Sequence, residues 1–388
     1  MAMEDLREIA NEKLRQNSPY RKELLSLISS GEAIAFIGAG LSSSLGYPSW
    51  PDLIATLHTQ VNKISAFESS DQISQDILVY AQLIKEYFGT SVGGIDQYES
   101  IIGREFAPKT GKNCTSTHQN LVKLPFRAFV TTNYDVCIEQ ALQEYAVQEQ
   151  GKARPDPGVV IKASKADRHL VSRFLRSISE KNENHECYVA HLHGCWNDTQ
   201  NIILTSTDYA EAYDGISTNE NKQTSITLHR QLAWSLFATR RMVFIGCSMD
   251  DPYIKRLLDT VARELWEFNQ PIHFAILPLD KKRLESSENE EAAFLRYGLQ
   301  VVYFDNLIGN FTGLDQLLQE ALEKTPASIK KLRPTQPPPD VQSPGSVISN
   351  PIEPQMHLRK DSPNAQVNLE WLDEVNKTTI GSIIKNED

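Results

Sequence analysis

The stretch AIAFIGAGLSSSLGYPSW, residues 33–50, decides how this chain is read. Ala33–Ile37 is short, apolar and flanked by glycines, the pattern of a strand buried on both faces in a parallel sheet. Gly38-Ala39-Gly40 follows directly. Glycines there permit a tight turn and let backbone N–H groups approach a pyrophosphate, with a helix N-terminus supplying favourable charge. A dehydrogenase-type fingerprint would want a third glycine at position 43, where this chain has Ser43. The turn alone therefore has two readings, a phosphate cradle or a bend packed tightly for steric reasons. The hydroxyls of Ser42, Ser43 and Ser44 suit a helix cap or a phosphate. No GxxxxGK[ST] occurs, which disfavours P-loop chemistry.

Outward from this stretch, strands and helices alternate. Residues 3–30 read as helix, with a stop at Ser29, Ser30 and Gly31. A helix restarts near Ser49 and runs through Leu57, and 70–105 reads as further helices divided at Gly93–Gly94. Strands are expected at 128–131, 188–192, 242–246, 273–277 and 301–304, with helical patterning at 135–147, 252–267 and 313–323. This predicts an α/β fold, a Rossmann-like parallel sheet with ligands at the carboxyl ends of its strands. Residues 64–120 and 197–235 interrupt the rhythm and read as helical insertions over the site. The N-terminal helical segment 1–30 thus precedes a core at 31–325. From 326 a linker or strap begins: seven of 19 prolines fall within 334–354, and a short amphipathic patch, NLEWLDEV, follows at 368–375.

The 388 residues carry a net charge of -11, which offers a nucleic-acid backbone nothing and directs attention elsewhere. No 18-residue apolar run suggests a membrane span, and the charged N-terminus lacks a signal-peptide core, so a cytoplasmic protein is expected. Cys114, Cys137, Cys187, Cys195 and Cys247 contain no CxxC pair, the pattern of reduced thiols rather than a four-cysteine zinc module.

Polar residues cluster just after the predicted strands. TTNYD (131–135) offers Asn133, whose amide can hold a ribose hydroxyl or a water, and Asp135, which reads equally as an acid or as a helix cap. HLHG (191–194) offers two histidines suited to proton exchange. His193 is preferred over His191 because Gly194 opens backbone room beside it, and a metal pair lacks a third ligand at sensible spacing. FIGCSMDDP (244–252) brings a second glycine–hydroxyl turn, Gly246 to Ser248, for the adenosine half of the same ligand. Asp251 and Pro252 read there as a helix start, and Cys247 would be a nucleophile only beside a base.

Taken together, GAGLSSSLGYPSW, TTNYD, HLHG and FIGCSMDDP resemble the SIR2-like, or sirtuin-related, NAD-binding domain across roughly residues 30–310, and look closest to the NAD-hydrolysing SIR2-like proteins of bacterial anti-phage defence. The resemblance implies that Gly38, Ala39, Gly40 and Ser42 cradle the phosphates and that Tyr47, Pro48 and Trp50 cover the cofactor near nicotinamide. It implies that Asn133 orients water and the nicotinamide ribose, that Asp135 is the acid of the same motif, and that His193 is the catalytic histidine. Gly246 and Ser248 match the later nucleotide-side turn.

The departures matter as much. Deacylating sirtuins carry a zinc module of two cysteine pairs, and this chain has no such pairs. Ser49-Trp50-Pro51 stands where a deacylase has phenylalanine and arginine. The resemblance therefore implies hydrolysis of NAD+, the substrate, at its nicotinamide–ribose bond without zinc. Alternatives are an NAD or ADP-ribose sensor, an assembly subunit without turnover, and, behind these, a deacylase. Because free hydrolysis would drain the host's NAD pool, a gate is expected. The resemblance and chain size suggest a homo-oligomer and a HerA-like ATPase partner, with the segment after 331 as the contact.

Overall fold

The apolar runs become the strands of one sheet. The protein is described by a computed structural model covering residues 3–64, 76–109, 111, 113–151, 158–161, 168–179, 188–214, 227–265 and 271–326. The chain divides into a unit spanning Met1–Pro337 and a second, Pro338–Asp388, which lies outside the described residues. The expectations for Cys187, the proline-rich stretch 334–354 and the patch 368–375 fall outside them too.

Seven strands form the sheet: β1 (Ile34–Ile37), β2 (Phe129–Thr131), β3 (Gly158–Val160), β4 (Val189–His191), β5 (Met242–Ile245), β6 (His273–Leu279) and β7 (Leu299–Asp305). Their order is β3-β4-β2-β1-β5-β6-β7, and every pairing is parallel. β3 was not expected, since three residues of edge strand carry too little periodicity to stand out. Helices alternate with the strands: α1 (Met3–Gln16) and α2 (Ser18–Ser29) precede β1, α3 (Trp50–Ile64), α4 (Ile77–Gly89), α5 (Gly94–Phe106) and α6 (Ser116–Lys123) follow it, and α7 (Cys137–Gln150) and α8 (Arg168–Ser179) flank β3. Beyond β4 come α9 (Ser206–Tyr209), a π-helical turn at Ala210–Asp214, α10 (Leu228–Thr239), α11 (Pro252–Leu265), α12 (Lys281–Arg296) and α13 (Thr312–Lys324).

The predicted single helix over 3–30 is two helices. Asn17 breaks it: its side-chain amide donates to Val301 O (3.0 Å) and its oxygen accepts from Tyr303 N (2.9 Å), so the residue serves β7 instead of the helix. Pro19, in the first turn of α2, suits a fresh helix start. Ser49 caps α3 in concert with Asp52, as the sequence suggests.

Both sheet faces are covered. One core joins Ile34, Phe36, Val130, Ala190 and Phe244 to α8, α10 and α11, and the other joins Ala35, Ile37, Phe129, Val243 and Ile245 to α2, α6, α7 and α13. A third cluster belongs to α3, α4 and α5 and reaches Tyr134, Cys137, Ile202 and Leu204 beside the strand ends. Burial on both faces explains why β1 and β5 read as continuous apolar runs rather than alternating ones.

Register does the positioning. Ile37 pairs with Thr131 and Ile245, and Thr131 pairs with His191, so the central strands end in one row. Whatever follows those four residues is delivered to the same edge of the sheet. Chain progression reverses between β1 and β5, the place where doubly wound sheets put their ligand crevice.

Candidate functional site

The turns after β1 and β5 are packed backbone to backbone. Gly38 N donates to Ile245 O and Gly40 N to Gly246 O, each at 2.9 Å. A Cβ on Gly38 would sit 2.5 Å from Gly246 O, and one on Gly40 would sit 2.8 Å from the same atom. Gly246 itself holds φ +70, and its Cβ would meet Leu41 N at 2.8 Å. The steric reading of GAG is therefore realised, and the N–H groups of Gly38 and Gly40 are already spent. What this turn offers a ligand is the exposed surface at Ala39 and Gly40, with the buried Ser42 hydroxyl beside the Cys137 thiol.

The turns after β2 and β4 are held by side chains. Thr131 Oγ1 donates to Ile37 O (2.8 Å) and accepts from Asn133 N (2.9 Å). The Asn133 carbonyl accepts from His191 Nδ1 (3.0 Å), and His191 Nε2 donates to Glu139 Oε1 from the first turn of α7. His191 is 1% exposed; burial alone would lower its pKa, but the adjacent Glu139 carboxylate, the Asn133 carbonyl and Asp135 more than reverse that and raise it. The Asn133 side chain bonds to none of the described residues. Asp135 Oδ1 accepts from Cys137 N (3.0 Å), so it caps the start of α7, while its charge also acts on His191, Tyr47 and Cys137.

His193 sits one alternation further, 3% exposed, among tyrosines. Its Nε2 lies 2.9 Å from Tyr213 Oη and its Nδ1 3.4 Å from Tyr209 Oη; Tyr209 in turn donates to Asp251 Oδ2 at 2.7 Å. Burial raises both phenols well above their ordinary values, so they remain donors. The network is satisfied with Tyr213 donating to Nε2 and Nδ1–H facing Tyr209. Burial lowers the His193 pKa, and Asp251, 3.9 Å from Nδ1, only partly offsets this. The imidazole is neutral at physiological pH. Gly194 is needed beside it: at φ +91 a Cβ would lie 2.7 Å from Asn201 O.

The remaining expected residues divide. Trp50 reaches the site, its ring 6.4 Å from that of Tyr209. Tyr47 turns inward, stacked parallel to Phe106 with ring centres 6.2 Å apart, and anchors its segment to α5. Ser248 is exposed beyond the packed turn. Cys247 faces the carbonyls of Phe36 and Ile245, and burial pushes its thiol up to about 12, which leaves it no thiolate for attack. Asp251 does more than start a helix: Oδ1 accepts from Tyr253 N and Ile254 N, both 2.9 Å, leaving Oδ2 for Tyr209. Glu139, Tyr209 and Tyr213 escaped the sequence reading. For Glu139 the available signal was an acid in the first turn after TTNYD; for the tyrosines, 16 and 20 residues from His193, no local pattern exists. Among the described residues, no group of three or more His, Cys, Asp and Glu could hold a metal ion, and no helix is long and apolar enough to cross a membrane.

Comparison with known proteins agrees with this geometry. The SIR2-like domain family matches residues 127–302, which include TTNYD, HLHG and the turn after β5. Three curated relatives are each named NAD(+) hydrolase ThsA. The protein from Enterococcus faecium is 28% identical over 256 residues, 66% of this chain and 45% of its own length. That from Bacillus cereus (strain MSX-D12) is 25% identical over 269 residues, 69% of this chain and 48% of its own. That from Acinetobacter baumannii (strain 532279) is 24% identical, over 74% of this chain and 52% of its own. The chain thus spans about half the length of these relatives. With strand order, register and the Asn133 and His193 turns on one edge, it carries a SIR2-like domain homologous to that part of the ThsA-type NAD(+) hydrolases.

Proposed function

We propose that this chain hydrolyses NAD+ at the nicotinamide–ribose bond, giving nicotinamide and ADP-ribose. The observation that carries the reading is the pairing, on aligned strand ends, of a neutral, buried His193 with an Asn133 side chain that bonds to none of the described residues. As the C–N bond breaks, its electron pair leaves with nicotinamide and positive charge develops on the ribose. Asn133 holds the incoming water and the ribose hydroxyls without adding charge. Water attacks C1′; its proton goes to the Tyr213 hydroxyl, which passes its own proton to His193 Nε2, and Asp251 then supports the imidazolium through Tyr209. Much of the benefit lies in positioning, because the ribose carbon is already electrophilic.

Residues at the turns fit the rest of a dinucleotide. Ala39 and Gly40 present a surface without bulky side chains, Ser42 adds a hydroxyl beneath it, and the Trp50 ring lies 6.4 Å from that of Tyr209. Tyr213 and Tyr209 hydroxyls face both nitrogens of His193. That favours a second reading, a sensor that binds NAD or ADP-ribose without cutting it. The setting expected from the family resemblance is cytoplasmic anti-phage defence by NAD depletion, in a homo-oligomer with a HerA-like ATPase. This part of the proposal rests on the resemblance.

Incubating the pure protein with NAD+ and identifying products by mass tests the reading. Release of nicotinamide with ADP-ribose supports it; cyclic product points to attack by a ribose hydroxyl. Calorimetric binding without nicotinamide release supports the sensor and overturns the hydrolase.

A further inference from the structure

The Asn133 turn contains a buried histidine–carboxyl pair that the proposed chemistry does not use. His191 and Glu139 are 1% and 6% exposed, and they come from different elements, the end of β4 and the first turn of α7. A buried pair of this kind is poor evidence for stability, since apolar residues of similar volume often serve as well. Its second hydrogen bond is more telling. His191 Nδ1 donates to one loop carbonyl, that of Asn133, at 3.0 Å. The Asn133 N–H is held from the other side by Thr131 Oγ1 at 2.9 Å. The Asn133 backbone is thus fixed at both its N–H and its carbonyl, while its side chain bonds to none of the described residues.

We propose that Glu139 and His191 are positioning residues for NAD+ cleavage: their pair clamps the Asn133 carbonyl and so aims the Asn133 side chain at the reacting ribose. This rests on the reading of Asn133 given above. The clamp is a relay of geometry rather than of protons. Glu139 orients the imidazole by accepting from Nε2, and the oriented ring presents Nδ1–H to the carbonyl. An apolar residue at 191 would leave that buried carbonyl unsatisfied and release the turn. A glutamine at 139 would keep it, because its amide can still bond Nε2 while Nδ1–H stays on Asn133.

Steady-state kinetics of the full chain tests this, with Glu139→Gln, Glu139→Ala, His191→Phe and Asn133→Ala compared well below their melting temperatures. Glu139→Ala and His191→Phe are expected to lower kcat by about 10- to 100-fold, as misplaced catalytic groups do, with KM for NAD+ within about threefold of the parent. Glu139→Gln is expected to restore kcat to within about threefold of the parent, on the same reasoning about retained geometry. Parent-like kcat in both disruptive variants, or a loss carried by KM, overturns the proposal. A second measurement does not depend on turnover. In protein with isotope-labelled asparagine, the side-chain amide signal absent from Asn133→Ala should move in His191→Phe and stay in place in Glu139→Gln. An unmoved signal in His191→Phe overturns the clamp. A parent chain that leaves NAD+ intact removes the proposed hydrolysis instead, and the amide signal then decides alone whether the pair aims the side chain.

Discussion

His191 and His193 lie two residues apart at one strand end, both almost fully buried, and their surroundings shift their pKa values in opposite directions. Desolvation pushes both toward neutrality. Around His191, Glu139 is in direct contact and Asp135 adds to it, so the nearby negative charge outweighs desolvation and the pKa rises. Around His193 the carboxylate of Asp251 stands 3.9 Å off, with Tyr209 between, and desolvation wins. One histidine is thereby suited to hold a structure in place and the other to accept a proton. The difference lies in their neighbours. Nothing within the tetrapeptide HLHG sets it.

The largest test of this contrast is removal of the neutral histidine. His193→Ala should lower NAD+ turnover by about 10²- to 10⁴-fold, the usual worth of a general base, while unfolding stays cooperative. Parent-level turnover by that variant would end the distinction between the two rings. A subtler change sharpens it. Asp251→Asn keeps a good helix cap for α11 but withdraws the charge that raises the His193 pKa, so the acid limb of the kcat/KM profile should move to lower pH. In the parent that limb should already lie below the ordinary histidine pKa of about 6.5. A limb that stays put in Asp251→Asn would show that the carboxylate does not act on the ring.

A further test, away from the site, concerns stability. His118 and His229 are lowered to about 4 and His273 to about 3, each chiefly by burial. Between pH 6.5 and about 4.5 the unfolded chain takes up protons that these rings refuse, so stability should fall as pH falls. The slope is about 1.4 kcal/mol per pH unit for each such histidine over that window. His191 acts in the other direction: its pKa is raised, so its contribution is complete in acid and is lost as pH rises through the folded value. Urea unfolding at several pH values should show a net decline toward acid, and a flat profile would mean these rings take up protons in the fold.

How much of this was legible in the sequence follows from the range of the interactions. The six strands other than β3 announced themselves as apolar runs ended by glycine or a polar cluster, because burial on both faces leaves no alternation to blur them. β3, three residues at the sheet edge, had no such signal. The helix over 3–30 was split by Asn17, whose partners lie 284 and 286 residues away. The GAG turn gave two readings that local sequence could not separate, and the packed turn after β5 decided in favour of close steric fit without removing the surface beside Ser42.

The sequence by itself determined the sheet, the order of its motifs and the residues that stand at the carboxyl ends of the strands, because hydrophobic run length and turn chemistry act within a few neighbours. Only the tertiary structure decided which way each histidine is shifted, which carboxylate reaches each of them, and that Asn133 is held through its backbone while its side chain bonds to none of the described residues. Those outcomes depend on Glu139, Tyr209, Tyr213 and Asp251, brought from separate helices to within a few ångströms by the register of β1, β2, β4 and β5. Burial makes the resulting contacts strong, and no local pattern records them.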